Sequence, residues 1–155
     1  MLQEYNEIFH ELNKYLISFR KKGFDDPASQ KIRKLISDIG DTPLKRVFST
    51  FGLDEFSRCL TVTAMLCDVS FTAANAVKGL CTVKNGITPG LISALFYGTY
   101  DISQHIDALG RYSPLFNLCL DLLSVLWSIS HVSTAECIIN GCIPHGLSVF
   151  LIWNN

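Results

Sequence analysis

Helix start signals recur along the chain and divide it into short segments. Each begins with a side chain that can cap a helix, and several continue with proline, whose missing N–H has no partner in the first turn. The starts are Asp25-Asp26-Pro27, Thr42-Pro43, Asp54, Ser70, Thr88-Pro89, Asp101 and Ser113-Pro114. Between them, apolar residues recur at intervals of three and four, which is typical of helices with one buried face. The sequence therefore predicts a mainly α-helical chain.

Two small groups of basic residues lie on the first predicted helices. Arg20–Lys22 is expected in the last turn of a helix over residues 2–22, where cations favour the helix dipole, and Gly23 follows as a stop. A contact with phosphate is the alternative interpretation of this triplet. The second group, on the next predicted helix, consists of Lys31, Arg33 and Lys34.

The C-terminal stretch differs from the rest in charge and in pattern. From Ser113 to Asn155, 43 residues, only Asp121 and Glu136 are charged. Phe116–Leu122 alternates apolar and other residues, which is a strand period, and Leu147–Trp153 is a second extended candidate.

A hairpin signal, Asn140-Gly141, lies between these two candidate strands. Helices followed by a small antiparallel pair are the outline of a winged helix. The predicted fold is therefore a winged-helix-like helical domain over residues 51–155, with a small C-terminal β-hairpin as its wing. Residues 1–50 are predicted to form an N-terminal helical segment that packs on this core.

Sequence motifs for common catalytic sites do not occur in the chain. There is no P-loop, GxGxxG, GxSxG or HExxH sequence. Most carboxylates stand where they can cap helices. We therefore expect no enzymatic activity, no cofactor and no metal, although a Cys–His pair formed by folding stays open. The start of the sequence lacks the basic segment of a secretory signal, so we expect a cytoplasmic location and six cysteines that are reduced thiols packed as small hydrophobic residues.

Three stretches resemble the N-terminal winged-helix domain of bacterial AAA-type ATPases, including those associated with contractile injection systems. Phe51–Leu60 resembles the family segment FGLSPFE followed by LL, and Thr88–Leu95 resembles its PTVGLAL helix. Ala108-Leu109-Gly110, then Ser113-Pro114-Leu115, resembles its passage through SPL into a strand. The stretch after Ser130 has no counterpart in that family. The ATPase module is not carried by this chain, so the resemblance implies no ATP hydrolysis.

The resemblance implies a non-catalytic protein-interaction or regulatory domain that recruits or positions a protein partner. A charge-poor C-terminal half suits such a contact or self-association as a homo-oligomer. The candidate interaction surface consists of Leu118, Leu120, Leu122, Trp127, Phe150 and Trp153.

Two alternative functions stay open at this point. The first is a DNA-binding winged-helix regulator, but the candidate recognition helix Thr88–Phe96 has no Arg, Lys, Asn or Gln with which to read bases. With a net charge of −1, the chain also has no overall attraction for nucleic acid, and specific binding is not expected. The second is a membrane-associated small protein, which Asp121 within the most apolar stretch disfavours.

Overall fold

The computed structural model describes residues 2–80 and 87–120, with side chains from residue 5 onward. These residues form α1 (Leu2–Lys22), α2 (Asp26–Ser37), α3 (Pro43–Phe51), α4 (Glu55–Val69), α5 (Phe71–Lys78) and α6 (Pro89–Tyr97), followed by a 3₁₀ helix (Ser103–Leu109). A further helix, α7, begins at residue 114 and is described to residue 120. The prediction of a mainly α-helical chain is confirmed for the described residues.

The predicted caps begin most of these helices. The side chains of Asp25, Thr42, Asp54, Ser70 and Thr88 each accept a hydrogen bond from the backbone N–H three residues later. Each bond satisfies a backbone donor that the first helical turn leaves without a partner. Asp101 instead accepts from the backbone N–H and the hydroxyl of Ser103, two residues away, and the segment that follows is a 3₁₀ helix.

One hydrophobic core joins the helices from both halves of the chain. Leu12 and Leu16 of α1, Ile36 of α2, Leu60 of α4 and Leu95 of α6 are all nearly inaccessible. α4 packs against α1, α2, α5 and α6, and thus lies at the centre of the described part. α1 and α2 therefore contribute to the same core as α4 and α6, while the proposed boundary at residue 50 stays a prediction.

The predicted strand over Phe116–Leu122 is wrong for residues 116–120, because they are helical. Ser113 caps this helix: its hydroxyl accepts from the Phe116 N–H at 3.1 Å and its carbonyl from the Asn117 N–H at 3.1 Å. Leu115 and Leu118 are buried three residues apart, a helical spacing. The hairpin turn at Asn140-Gly141 and the second strand at Leu147–Trp153 lie outside the described residues.

Candidate protein-interaction groove

The structure places the sequence-predicted surface residues in different environments. Leu118 is buried in the core, whereas Leu120, two residues later on α7, is 48% exposed. The other predicted surface residues, Leu122, Trp127, Phe150 and Trp153, lie outside the described part of the chain. Leu118 is thus a packing residue of the described core, and only Leu120 can be assigned to a surface.

The most exposed apolar side chains of α4 and α5 lie at the corner where the two helices meet. The two helices are bent by 116° about Ser70, which caps α5. Val69, immediately before the corner, is 71% exposed, and Phe71, immediately after it, is 82% exposed. Met65, one helical turn before Val69 on α4, is 37% exposed. Phe71 is therefore a candidate contact residue, because burying a side chain this large and exposed would remove much apolar surface from water.

Phe71 forms one wall of a groove between α1 and α5. The groove has a volume of about 580 Å³ and is lined by Ile17, Arg20 and Lys21 of α1 and by Phe71, Thr72, Asn75 and Ala76 of α5. Ile17 is 38% exposed because the core-facing stripe of α1 runs through its neighbours, including the fully buried Leu16. Successive helical residues point about 100° apart, which turns Ile17 toward α5 instead of the core. We call this surface the α1–α5 groove.

The charges around the α1–α5 groove are basic. Arg20 and Lys21 belong to the basic last turn of α1, together with Lys22, and Lys78 lies in the last turn of α5. The Arg20 side chain lies across the end of α5, since a Cβ placed on Gly79 would be 2.9 Å from its Cζ. A cation at this position also favours the dipole at the C-terminus of α5. Among the seven residues that line the groove, none is acidic.

A second cluster joins α2, α4, α6 and the 3₁₀ helix. Glu55 accepts a hydrogen bond from Nη1 of Arg33 at 2.9 Å and from the Tyr97 hydroxyl at 3.3 Å. The His105 ring stacks on Phe56, with ring centroids 4.3 Å apart, and lies 4.5 Å from the Tyr97 ring. Its members come from four elements, and most of their polar groups and rings contact one another. The cluster therefore holds these helices together.

The nearest thiol to this cluster is not a nucleophile. Burial, followed by the charge of Glu55, raises the pKa of Cys59 well above its ordinary value. Burial also raises the pKa of Tyr97, with further contributions from Cys59 and Glu55. A nucleophilic cysteine needs a lowered pKa and access to a substrate, and Cys59 is fully buried. This thiol fits the role of a small hydrophobic residue in the core.

The second basic group of the sequence is largely paired in the structure. Nζ of Lys31 lies 2.9 Å from Glu11, and Nη1 of Arg33 lies 2.9 Å from Glu55. The basic last turn of α1 differs, because its Arg20 and Lys21 line an open groove. Within residues 2–80 and 87–120, no group of three or more His, Cys, Asp or Glu residues is placed to hold a metal.

The candidate recognition helix, which is α6 in the structure, is part of the core. Leu91, Ile92, Leu95 and Phe96 of α6 are each at most 1% exposed, and its remaining central residues are also buried. A recognition helix must present one face to the major groove. In the described residues α6 has no such face, and this observation disfavours the DNA-binding alternative.

In the described ranges, no single helix is long and apolar enough to cross a membrane, although the bent pair α4 and α5 satisfies the length and composition criteria when taken together.

Comparisons with protein-family models, with curated proteins and with solved structures find no match to this chain. The functional interpretation accordingly depends on the geometry and charge of its own residues. The sequence contains few signals of the groove: Ile17 is an apolar residue next to Leu16, and Phe71 directly follows Ser70, the cap of α5. Neither reveals that the two lie against one groove.

Proposed function

We propose that the chain is a non-catalytic, helical protein-interaction domain that binds a second protein molecule in the α1–α5 groove. The observation that carries the proposal is the groove itself, in which Phe71 remains 82% exposed beside Ile17 and the basic end of α1. Aromatic side chains and arginine are the residues enriched at the energetic centres of protein interfaces.

A protein is a better occupant of this groove than a small molecule. Pockets for small molecules enclose most of the ligand and orient it with a few converging polar groups. The α1–α5 groove is an open trough between two helix surfaces, and its polar lining residues Thr72 and Asn75 are exposed. A helix or loop of another protein covers such a trough, whereas a small ligand leaves much of its own surface in water.

The wider assignment follows from the sequence resemblance. We propose further that the chain is an N-terminal domain of an AAA-type ATPase, of winged-helix-like type, that recruits or positions a partner for the motor. The helix starts at Asp54 and Thr88 support the order of its helical elements, whereas the helix that begins at Ser113 stands where the resembled family has a strand. A Walker-type ATPase encoded directly downstream would support this placement, and an unrelated neighbour would count against it.

Site-specific photocrosslinking in the cells that express the chain tests the interaction. A photoreactive phenylalanine analogue replaces Phe71, and the control carries the same analogue at Tyr112, which is 96% exposed. We expect a discrete protein adduct from position 71 that is lost on Ile17→Ser and that position 112 does not form. No adduct, equal adducts from both positions, or adducts only with nucleic acid would overturn the proposal.

A further inference from the structure

We propose that the occupant of the α1–α5 groove is an acidic amphipathic helix of a different protein, an inference that rests on the proposed function and specifies the partner's chemistry. Three properties of the groove carry it: apolar lining residues, a basic rim and two walls that are each formed by a helix. Each one constrains a different property of the partner.

The apolar part of the groove requires apolar side chains on the partner. Ile17 of α1 and Phe71 of α5 line the groove from different helices, and the lining also includes the buried Ala76 of α5. A helix that lies in such a trough presents side chains at positions i, i+3, i+4 and i+7 to one side. Burying most of Phe71 against these side chains removes from water the largest exposed apolar group of the groove.

The charge of the rim requires acidic groups on the same partner. Arg20 and Lys21 line the groove, and Lys22 and Lys78 end the two helices that form it. A basic segment would place like charges against this rim, which costs binding energy and excludes wrong partners. A partner with Asp or Glu flanking its apolar stripe pairs with the rim instead.

A second copy of this chain is a poorer fit for the same site. Each copy would bring its own basic α1 end and α5 end to a symmetric contact, because a two-fold interface uses the same patch on both molecules. Four or more cations would then meet across the interface without acidic lining residues between them. The rim therefore favours a partner of opposite charge over self-pairing through the groove.

The test is selection from a displayed library of random peptides of about 15 residues, a length that can form a marginal helix. The full chain is the bait, with parallel selections against Phe71→Ser and against the double variant Arg20→Glu, Lys21→Glu. The control variants are Tyr112→Ser and the double variant Lys34→Glu, Arg111→Glu, which change exposed residues outside the groove lining. Far-UV circular dichroism confirms that each bait is folded.

We expect peptides selected by the wild-type chain to carry apolar residues at helical spacing and net negative charge. Their affinity falls by at least about tenfold on Phe71→Ser, as expected for a phenylalanine that is buried on binding, and it falls with added salt. The Arg20→Glu, Lys21→Glu bait selects basic peptides instead. Neither control variant changes the selection.

Several outcomes would overturn the inference. Peptides that are neutral or basic, or whose binding does not depend on Phe71, would do so. Enriched sequences that match residues 121–155 of this chain would assign the groove to its own C-terminal stretch. A crosslink from position 71 to another copy of the chain, or to a partner segment that is not acidic, would leave the proposed interaction function intact and refute the acidic helix alone.

Discussion

The apolar residues of α6 itself are buried, whereas the surface formed by α1 and α5 leaves Ile17 and Phe71 exposed. On the α6 side, the Tyr15 hydroxyl donates to the Leu95 carbonyl at 2.6 Å and the Ser29 hydroxyl donates to the Phe96 carbonyl at 2.8 Å. These carbonyls lie in the last turn of α6, where the helix itself supplies no backbone N–H donors for them. On the α1–α5 side, Phe71 is in contact with solvent.

This difference separates residues that stabilise the fold from residues that are available to a partner. Closing an apolar surface requires that the polar backbone groups beside it also find partners, which Tyr15 and Ser29 supply around α6. The groove residues do not contribute to such closure, so their replacement is expected to change binding more than folding. Matched substitutions on the two sides test this separation.

The largest effect is expected from truncating a phenylalanine on each side. Phe96 is 1% exposed and Phe71 is 82% exposed. Phe96→Ala removes a large buried side chain and leaves a cavity, so the free energy of unfolding should fall by about 3–5 kcal/mol. Phe71→Ala should change it by less than about 0.5 kcal/mol. Urea unfolding followed by circular dichroism measures both, and equal losses would show that the two sides do not differ.

Alkaline pH should destabilise the chain through its buried thiols. Burial raises the pKa of Cys119 from 9.0 to about 12, and that of Cys59 further. The folded state therefore holds these protons more tightly than the unfolded state. The stability that the protonated thiols contribute is complete below pH 9 and is lost as the pH rises above that value. At pH 10 the titration of each thiol should lower the free energy of unfolding by about 1.4 kcal/mol, and the two together should lower it by about 3 kcal/mol.

The control for this effect is the pH dependence of Cys59→Ala. Whatever its stability at pH 7, the variant should lose about 1.4 kcal/mol less than the wild-type chain between pH 7 and pH 10. Cys59 is a buried residue of α4, which packs against α6, so the measurement also reports how well this part of the core excludes water. An unchanged pH dependence in the variant would contradict the assignment.

The sequence predicted the helix starts well because capping is local chemistry. Ser70 and Thr88, for example, bond to backbone groups only three residues away, so the relevant partners are visible in the sequence. The end of the described chain was harder. Between Phe116 and Leu120 the apolar residues alternate as in a strand, but Leu115 and Leu118 also have helical spacing, and the Ser113 cap favours the helix.

The groove could not be predicted, because it depends on how distant segments pack. Ile17 and Phe71 are separated by more than fifty residues and meet one groove only because α5 turns by 116° relative to α4. The sequence instead directed attention to the charge-poor C-terminal stretch, of which Leu118 proved to be a core residue. An apolar residue looks the same in a sequence whether it lies in a core or at an interface.

Removing either hydroxyl that donates to the last turn of α6 should have an intermediate effect on the free energy of unfolding. Tyr15→Phe and Ser29→Ala each leave a carbonyl of α6 without its donor, in positions where both side chains are buried. Each substitution should lower the free energy of unfolding by about 1–3 kcal/mol. The matched change in the groove is Thr72→Val, which removes an exposed hydroxyl and should be nearly neutral. Thermal unfolding compares the three, and neutral Tyr15 and Ser29 variants would show that these bonds are not needed.

The smallest effect in stability, and the sharpest comparison, comes from two glycines. Gly98 ends α6 with φ of +73°, and a Cβ there would lie 3.0 Å from the ring of Phe24. Gly98→Ala should therefore cost about 1–2 kcal/mol for the left-handed backbone alone, and the ring must also shift. Gly79 ends α5 with φ of −72°, which any residue adopts.

Gly79→Ala should consequently be neutral in unfolding experiments, yet it should still affect binding. Its new methyl group would lie 2.9 Å from Cζ of Arg20, at the flexible end of an exposed side chain that can move without disturbing the core. The displaced guanidinium leaves its place on the rim of the α1–α5 groove. We therefore expect weaker binding of the selected acidic peptides, measured by fluorescence anisotropy, with unfolding unchanged.

Gly98→Ala should show the reverse, a loss of stability with unchanged peptide affinity below the unfolding transition. If both glycine variants altered stability and binding together, the closed and open sides would act as one unit, and the groove would be part of the folding core.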